Sequence, residues 1–202
     1  MIGLSPAFAH AFSFADEEEK DRAAAARPKS AAQAISAACQ DRLKKEKVMV
    51  LVAERGNNGV NADQGRYGMH FSAIDRRLRK YGMRTMSQEE IRKQVAQAEI
   101  DAHFRNDPDA ALQAARKHGA SMTLRGTISS RRAINPMLGI PEVYVSMGFV
   151  LVAPDGNYIS EASASSDSYS GGDTVGMALT LINEQADGVV RRLLNGYCAG
   201  KK

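Results

Sequence analysis

The chain has 202 residues, of which 44% are hydrophobic and 25% charged, and its formal net charge is +4. This length and composition are typical of one globular domain with a tail and allow a sizeable buried core. Trp is absent and the positive residues are scattered, so the sequence predicts no nucleic-acid partner. No stretch of about 18 apolar residues occurs, so we predict no transmembrane segment.

The first residues are interpreted as a leader or flexible segment. Ala7-Phe8-Ala9 has the small-x-small form of a signal-peptidase site, although no basic region precedes it. A remnant signal peptide and a disordered apolar leader are both open interpretations. We predict a leader over residues 1–28, a single α/β domain over 29–198 and a tail over 199–202.

The first half of the domain is predicted to alternate helices and strands. Helical spacing indicates a helix over residues 29–46, and the continuous apolar run over 47–54 indicates a central strand buried on both faces. A second helix is predicted over residues 63–81, with Gly82 as its C-terminal cap. A short strand over residues 83–86 follows.

Further helices are predicted before the chain returns to strands. Ser87 and Glu90 have the spacing of a capping box, which predicts a helix from that point to Phe104. Asn106-Asp107-Pro108 then indicates the start of another helix, over residues 109–118.

Three long strands and a final helix are predicted to complete the domain. The first strand covers residues 122–128, and Asp155-Gly156 indicates a hairpin between the other two. Alternation places five side chains of the middle strand in the core: Val143, Val145, Met147, Phe149 and Leu151. The last helix begins at Asp173 or Thr174 and ends near residue 194. The predicted class is α+β with an α/β-like start: a mixed β-sheet with a long-stranded antiparallel meander and helices packed on it.

Four sequence segments carry a family resemblance: VMVLVAE, YGMRTMSQEEI, AARKHGASMTLRGTI and GFVLVAPDGNYIS. In this order they resemble a group of bacterial envelope domains. The group includes the periplasmic domain of the curli secretion channel, the N-terminal domain of the Tol translocation protein, the lipoprotein activator of penicillin-binding proteins and a periplasmic flagellar assembly protein. The resemblance covers roughly residues 30–195.

The resemblance implies a binding or assembly module of the periplasm, possessing no catalytic motif. We therefore expect no enzyme activity and no cofactor, and we expect the partners to be other envelope proteins, in a homo- or hetero-oligomeric ring of secretion, pilus or flagellar type. An outer-membrane association and a peripheral membrane contact are compatible with it. The four histidines have no paired spacing, and neither cysteine belongs to a metal-spaced cluster, so no metal site is predicted.

Cys39 and Cys198 are the only cysteines, near opposite ends of the predicted domain. An even number in an exported protein suggests a disulfide, and two separate thiols are the alternative. A bond requires that the two Cα atoms lie about 4.4 to 6.8 Å apart.

Residues 56–61 follow a predicted strand and precede a predicted helix. Gly56, Asn57, Asn58 and Gly59 invite comparison with a phosphate-binding loop, but the lysine of that motif is absent. The alternatives are an ordinary connection, with Asn57 and Asn58 as partner-binding candidates, and a small-ligand or nucleotide-binding enzyme domain that uses this loop.

Two more segments are partner-binding candidates. Met137, Leu138 and Ile140 lie together on a loop between strands, where they either pack over the sheet edge or insert into a neighbouring subunit. Arg76 and Arg77 belong to a basic run on a predicted helix, which is either a solvated face or a contact for an acidic partner.

Overall fold

A computed structural model of the protein describes residues 34–105, 107–166 and 173–200. The predicted leader over 1–28 lies outside these residues, as do the first part of the predicted 29–46 helix and the end of the predicted tail. Nearly all the described residues belong to the second of two compact units, Ile35–Lys202.

The described elements form a mixed sheet with helices on both faces. In chain order they are α1 (Ala37–Leu43), β1 (Lys47–Gly56), β2 (Gly59–Asn61), α2 (Gly68–Lys80), β3 (Arg84–Thr85), α3 (Gln88–Gln94), α4 (Gln97–Phe104), α5 (Pro108–Lys117), β4 (Met122–Ile134), β5 (Pro141–Val152), β6 (Tyr158–Ser165) and α6 (Thr174–Gly200). The strand order is β2-β1-β4-β5-β6, with β3 also beside β1. β1 is parallel to β3 and β4, and the other pairs are antiparallel. The predicted α+β class, with its mixed sheet and meander, is confirmed.

The first face of the sheet packs against α2 and α6. The five β5 side chains predicted to be in the core are each at most 2% exposed: Val143, Val145, Met147, Phe149 and Leu151. The ring of Phe149 lies over Gly126 on β4, where an added Cβ would be 3.0 Å from Cε1 of the ring. The long α6 supplies the other side of this core, with Leu181, Val189 and Leu193 fully buried.

The second face is covered only in part. Met49 and Leu51 of β1 point to this face and are fully buried, while Arg125 of β4 donates from Nη1 to the carbonyl oxygen of His103 on α4 at 2.6 Å. Coverage by the α4 region therefore reaches β1 and the first part of β4. Farther along the same face, Gly148 of β5 is exposed, so the sheet is open to solvent there.

The free edge of β6 is protected by helix α6. The outward carbonyl of Ser163 accepts from Nη2 of Arg192 at 2.5 Å, and that of Ser165 accepts from Nε2 of Gln185 at 3.0 Å. These two carbonyls are thus occupied, which disfavours pairing of this edge with another strand.

Local signals in the sequence identify several helix and turn boundaries correctly. Glu90 N donates to Ser87 Oγ at 3.1 Å and Ser87 N donates to Glu90 Oε2 at 2.6 Å, which is the predicted capping box. Gly82 ends α2 with φ of 87°, a conformation that L side chains rarely adopt. Asp173 accepts from Gly176 N at 2.9 Å and caps α6 as predicted.

Other boundaries differ from the sequence prediction. The helix predicted to run on to Phe104 is two helices, because Val95 is extended (ψ 117°) and Glu99 accepts from the N–H of Ala96 at 3.0 Å, starting α4 anew. Helix α2 begins at Gly68 rather than at residue 63, since the buried Gln64 side chain bonds both Val52 N and Val52 O, at 3.0 and 2.9 Å. Helix α6 continues six residues beyond the predicted end, to Gly200.

Candidate interaction surface

The β4–β5 hairpin projects beyond the rest of the sheet. β1 pairs with β4 only as far as Ser129, and β6 pairs with β5 only from Ser146. In the described part of the chain, residues 130–134 of β4 consequently pair only with residues 141–145 of β5, and the Val145 carbonyl at the start of this stretch also accepts from Ser166 N at 3.1 Å. We call this two-stranded extension the arm, and residues 134–140 at its end the tip.

The tip has a defined conformation that depends on Asn135. Its Oδ1 accepts from the backbone N–H groups of Met137 and Leu138, at 2.9 and 3.0 Å, and its Nδ2 donates to Glu142 Oε1 at 2.8 Å. Backbone bonds from Asn135 N to Ile140 O (2.9 Å) and from Gly139 N to Asn135 O (2.8 Å) close the turn. Local side-chain bonding of this kind fixes a turn without a hydrophobic core.

The side chains of the tip are apolar and face solvent. The exposed fractions are 71% for Ile134, 91% for Met137, 68% for Leu138 and 47% for Ile140. Packing of this segment over the sheet edge, one of the two sequence interpretations, is therefore wrong. Ile134 was not among the sequence candidates, because the predicted strand ended at residue 128, whereas β4 continues to Ile134.

Polar residues lie on the arm next to the tip. The guanidinium of Arg131 lies 4.7 Å from the centre of the Tyr144 ring, and the Tyr144 hydroxyl donates to Glu142 Oε2 at 3.0 Å. Arg132 on the same strand is exposed. The arm thus has an apolar tip with charged and polar residues beside it, and protein interfaces commonly combine an apolar core with a polar rim in this way.

Asn57 and Asn58 lie at the same end of the sheet as the arm. They form the turn of a β-hairpin, because Gly56 of β1 pairs with Gly59 of β2 in antiparallel register. Arg55 of β1 pairs with Ser129 of the parallel β4, so the β1–β2 turn and the arm leave the sheet in the same direction.

This hairpin corrects the interpretation of residues 56–61. The sequence placed the segment between a strand and a helix, whereas the chain returns along β1 as β2 and α2 begins only at Gly68. The helix that the sequence placed directly after this loop begins only at Gly68, so its first N–H groups do not belong to the Gly56–Gly59 turn as they would in a phosphate-binding loop.

Arg76 and Arg77 lie on α2, away from the arm in the chain and on the first face. Arg77 donates to the carbonyl of Ala73 at 3.1 Å and pairs with Asp187 of α6 at 3.6 Å, which joins the two helices. Arg76 is exposed, and its Nε donates to Ser72 O at 3.3 Å. Of the two, Arg76 is the one left accessible to a partner.

Cys39 and Cys198 form a disulfide in this structure, with their Cα atoms 5.9 Å apart, inside the predicted range. The bond joins α1 to the end of α6. Arg42 donates to the carbonyl of Cys198 at 3.4 Å and lies 5.4 Å from the ring centre of Tyr197, whose hydroxyl donates to Glu46 at 2.5 Å. The two termini of the described domain are therefore held together.

The described histidines have structural surroundings. His70 is buried and its Nε2 is 3.0 Å from the carbonyl oxygen of Val175. Burial, reinforced by the Arg125 charge, lowers the pKa of His103 to about 4. His118 contacts Glu99 at 3.2 Å. Across the described part of the chain, no group of three His, Cys, Asp or Glu side chains could hold a metal ion, and no helix has the length and apolarity to cross a membrane.

The chain is similar in structure to several solved structures, at low sequence identity. No family model and no curated protein matches the chain. The PelC dodecamer from Paraburkholderia phytofirmans is 17% identical, with 70% of this chain and 84% of that chain covered and a TM-score of 0.41. A lipoprotein from Neisseria meningitidis is 17% identical (71% and 99% covered, TM-score 0.38). The LpoB C-terminal domain from Salmonella enterica is 15% identical (60% and 82% covered, TM-score 0.34).

Proposed function

We propose that this protein is a non-enzymatic module of the bacterial envelope that binds protein partners through the tip of its β4–β5 arm. It acts in the periplasm or at the outer membrane, as a structural component of a secretion, pilus or flagellar ring type of assembly. The observation that carries the proposal is the exposed apolar tip, whose Met137 is 91% exposed.

The energetics of the tip favour a buried state in an assembly. Burying an exposed Met, Leu or Ile side chain in a partner is favourable by about 1.5 to 3 kcal/mol for each side chain that is fully buried. Met137, Leu138 and Ile140 together would contribute several kcal/mol before the entropic cost of association. Because Asn135 already fixes the turn, binding requires little additional ordering of the tip.

Two further observations support the proposed compartment. A disulfide between Cys39 and Cys198 persists in oxidising environments, of which the bacterial periplasm is one. The sequence also resembles envelope domains over most of its length. Both support an envelope location, and neither identifies the particular machine.

The test is the size of the native complex in the bacterium of origin. A tagged full chain is solubilised from the envelope in mild detergent and its complex is sized by native electrophoresis. We expect Met137→Ser combined with Leu138→Ser to release the protein from its large complex. Met69→Ser, which removes a 67% exposed methionine from α2, is the matched control and should leave the complex intact.

Two results would contradict the proposal. One is a complex of unchanged size in the tip variant, with the variant shown to be folded. The other is recovery of the wild-type chain only as a monomer from the envelope fraction. A tip that binds vesicles of bacterial lipids but leaves the complex unchanged would point to membrane contact instead of a protein partner.

A further inference from the structure

A cleft lies on the second face of the sheet, where the cover by α4 ends. Its volume is about 280 Å³, and it is lined by Arg55, Val60, His103, Phe104, Arg125, Thr127 and Val150. The residues come from four elements of the sheet and from the end of α4. A cleft of this size fits a small chemical group, below the range of drug-sized pockets.

Two guanidinium groups dominate its charge. Arg125 is half-buried and is held in place by its bond to the His103 carbonyl at 2.6 Å. Arg55 is exposed on the neighbouring strand, and the carboxylate next to it in sequence, Glu54, pairs instead with Arg66 at 3.4 Å. Among the described residues, no acidic side chain forms a salt bridge with either arginine, although Glu161 of β6 is the cross-strand neighbour of Val150.

Neutral hydrogen-bonding groups also line the cleft. Arg125 pairs with Leu51 of β1 and Arg55 pairs with Ser129 of β4, which places Thr127 midway between them on the same face. His103 is 2% exposed, and its Nε2 has no hydrogen-bond partner. Buried polar atoms are rarely left without a partner, and each such atom asks for an explanation.

We propose that this cleft binds a phosphate monoester group, with Arg55 and Arg125 on its oxygens and Thr127 and His103 as additional donors. Guanidinium groups bind phosphate and carboxylate oxygens with paired, charge-assisted hydrogen bonds. A phosphate monoester carries a charge of about −1.5 to −2 at pH 7, which balances two arginines, whereas a single carboxylate balances one. The site is separate from the tip and does not depend on the proposed function.

Direct binding to the purified full chain tests this site. Glycerol 3-phosphate and inorganic phosphate are titrated by calorimetry, with acetate as the singly charged comparison. We expect a dissociation constant of about 1 mM or tighter for the phosphates and weaker binding of acetate. Vesicles that contain phosphatidic acid, compared with phosphatidylcholine vesicles, determine whether the group comes from a lipid or a soluble molecule.

Variants connect the binding to these residues. Arg55→Gln changes an exposed side chain, so the protein should stay folded while phosphate affinity falls about tenfold or more. Thr127→Val should weaken it less, and Arg92→Gln on α3, also an exposed arginine, should not change it. The ring nitrogen resonance of His103 should shift on adding glycerol 3-phosphate. Absence of phosphate binding, tighter binding of acetate, or unchanged affinity in Arg55→Gln would overturn the proposal.

Discussion

Gly126 and Phe149 show how one residue determines the fit of another. They are paired positions of β4 and β5, and the Phe149 ring fills the space that a side chain at position 126 would need. An added Cβ at Gly126 would lie 3.0 and 3.2 Å from two ring carbons, closer than packed carbon atoms normally approach. Glycine therefore fits at position 126 because the Phe149 ring occupies the space of a side chain, and not because the backbone turns there.

This pair gives a coupled stability prediction. Phe149→Ala should lower the free energy of unfolding by about 3 to 5 kcal/mol, because it leaves a large cavity. Gly126→Ala should cost about 1 to 3 kcal/mol in the wild-type chain by overpacking. In a Phe149→Leu background the same glycine substitution should cost clearly less, as measured by urea unfolding. Costs that add within about 0.5 kcal/mol would show that the two residues do not contact as described.

His103 gives a prediction of pH dependence. Burial and the Arg125 charge lower its pKa from 6.5 to about 4 in the folded protein, so the unfolded chain binds its proton first as the pH falls. Stability should therefore decrease between pH 6.5 and 4, by up to about 3 kcal/mol from this residue. Glu99, whose pKa its Lys117 contact lowers to about 2, loses its contribution only below pH 4.5.

A His103→Leu variant isolates that effect. Its free energy of unfolding should change less between pH 6.5 and 4.5 than that of the wild type, because the variant lacks the His103 proton. Burial also lowers the pKa of His70, but that residue is present in both proteins and does not affect the difference between them. Parallel pH profiles for the two proteins would mean that His103 is not buried in its neutral form.

At the residue scale, sequence patterns were most informative where residues recur at a short and regular spacing. Alternation on β5 identified its five core side chains, and the Ser87–Glu90 spacing identified a helix start. The sequence offered no comparable signal for Gln64, whose amide replaces a missing strand beside Val52. That role depends on where β3 stops, which is a tertiary property.

At the scale of elements, the arm is the feature that positions the candidate surface. The sequence predicted a strand over residues 122–128 and an apolar loop near 137, but β4 continues to Ile134. Residues 129–133 are polar or small and so lack the alternation of a half-buried strand. Beyond Ser129 they pair with β5 and no longer with β1, and their side chains on the β4 side of the arm are mostly exposed, so no hydrophobic pattern is imposed there.

The hydrogen bonds of Asn135 predict how rigid the tip is. Asn135→Ala removes the acceptor for Met137 and Leu138 N–H, so these amides should exchange with deuterium at least about tenfold faster. Global stability should change little because the tip is exposed. Asn157→Ala, in the β5–β6 hairpin loop, is the control and should leave exchange at the tip unchanged. Equal exchange in Asn135→Ala would contradict the assigned turn.

At the scale of the whole molecule, one covalent bond joins elements 159 residues apart. The sequence raised this pairing from the even number of cysteines and their positions near the two ends, but it left free thiols open. The closed loop is long, so in the chain-entropy model the bond stabilises the fold by about 5 kcal/mol through the unfolded state.

Reduction should expose that contribution. Tris(carboxyethyl)phosphine should lower the urea midpoint of the wild type, with a loss of about 3 to 5 kcal/mol. A Cys39→Ser and Cys198→Ser double variant should unfold at the reduced midpoint whether or not the reductant is present. If the oxidised and reduced wild type have the same midpoint, the bond is absent from the purified protein or contributes no stability.

Fold class was accessible from the sequence because periodicity and turn residues report on local structure. The interaction surface was accessible only in part, since the exposure of Met137 and Leu138 depends on how far β4 and β5 extend past their neighbours. The cleft at Arg55 and Arg125 had no sequence signal, because these residues are 70 positions apart and line one cleft only through the parallel pairing of β1 and β4.

Site-specific photocrosslinking in living cells of the bacterium of origin tests the central claim most directly. A photoreactive amino acid is placed at position 137 in the tip or, as the matched control, at the exposed position 69 on α2. We expect a discrete crosslinked envelope protein, or a second copy of this chain, from position 137 and none from 69, with loss of the product when Leu138→Asp is added. No crosslink from position 137, or the same products from both positions, would contradict the claim that the tip binds a protein partner.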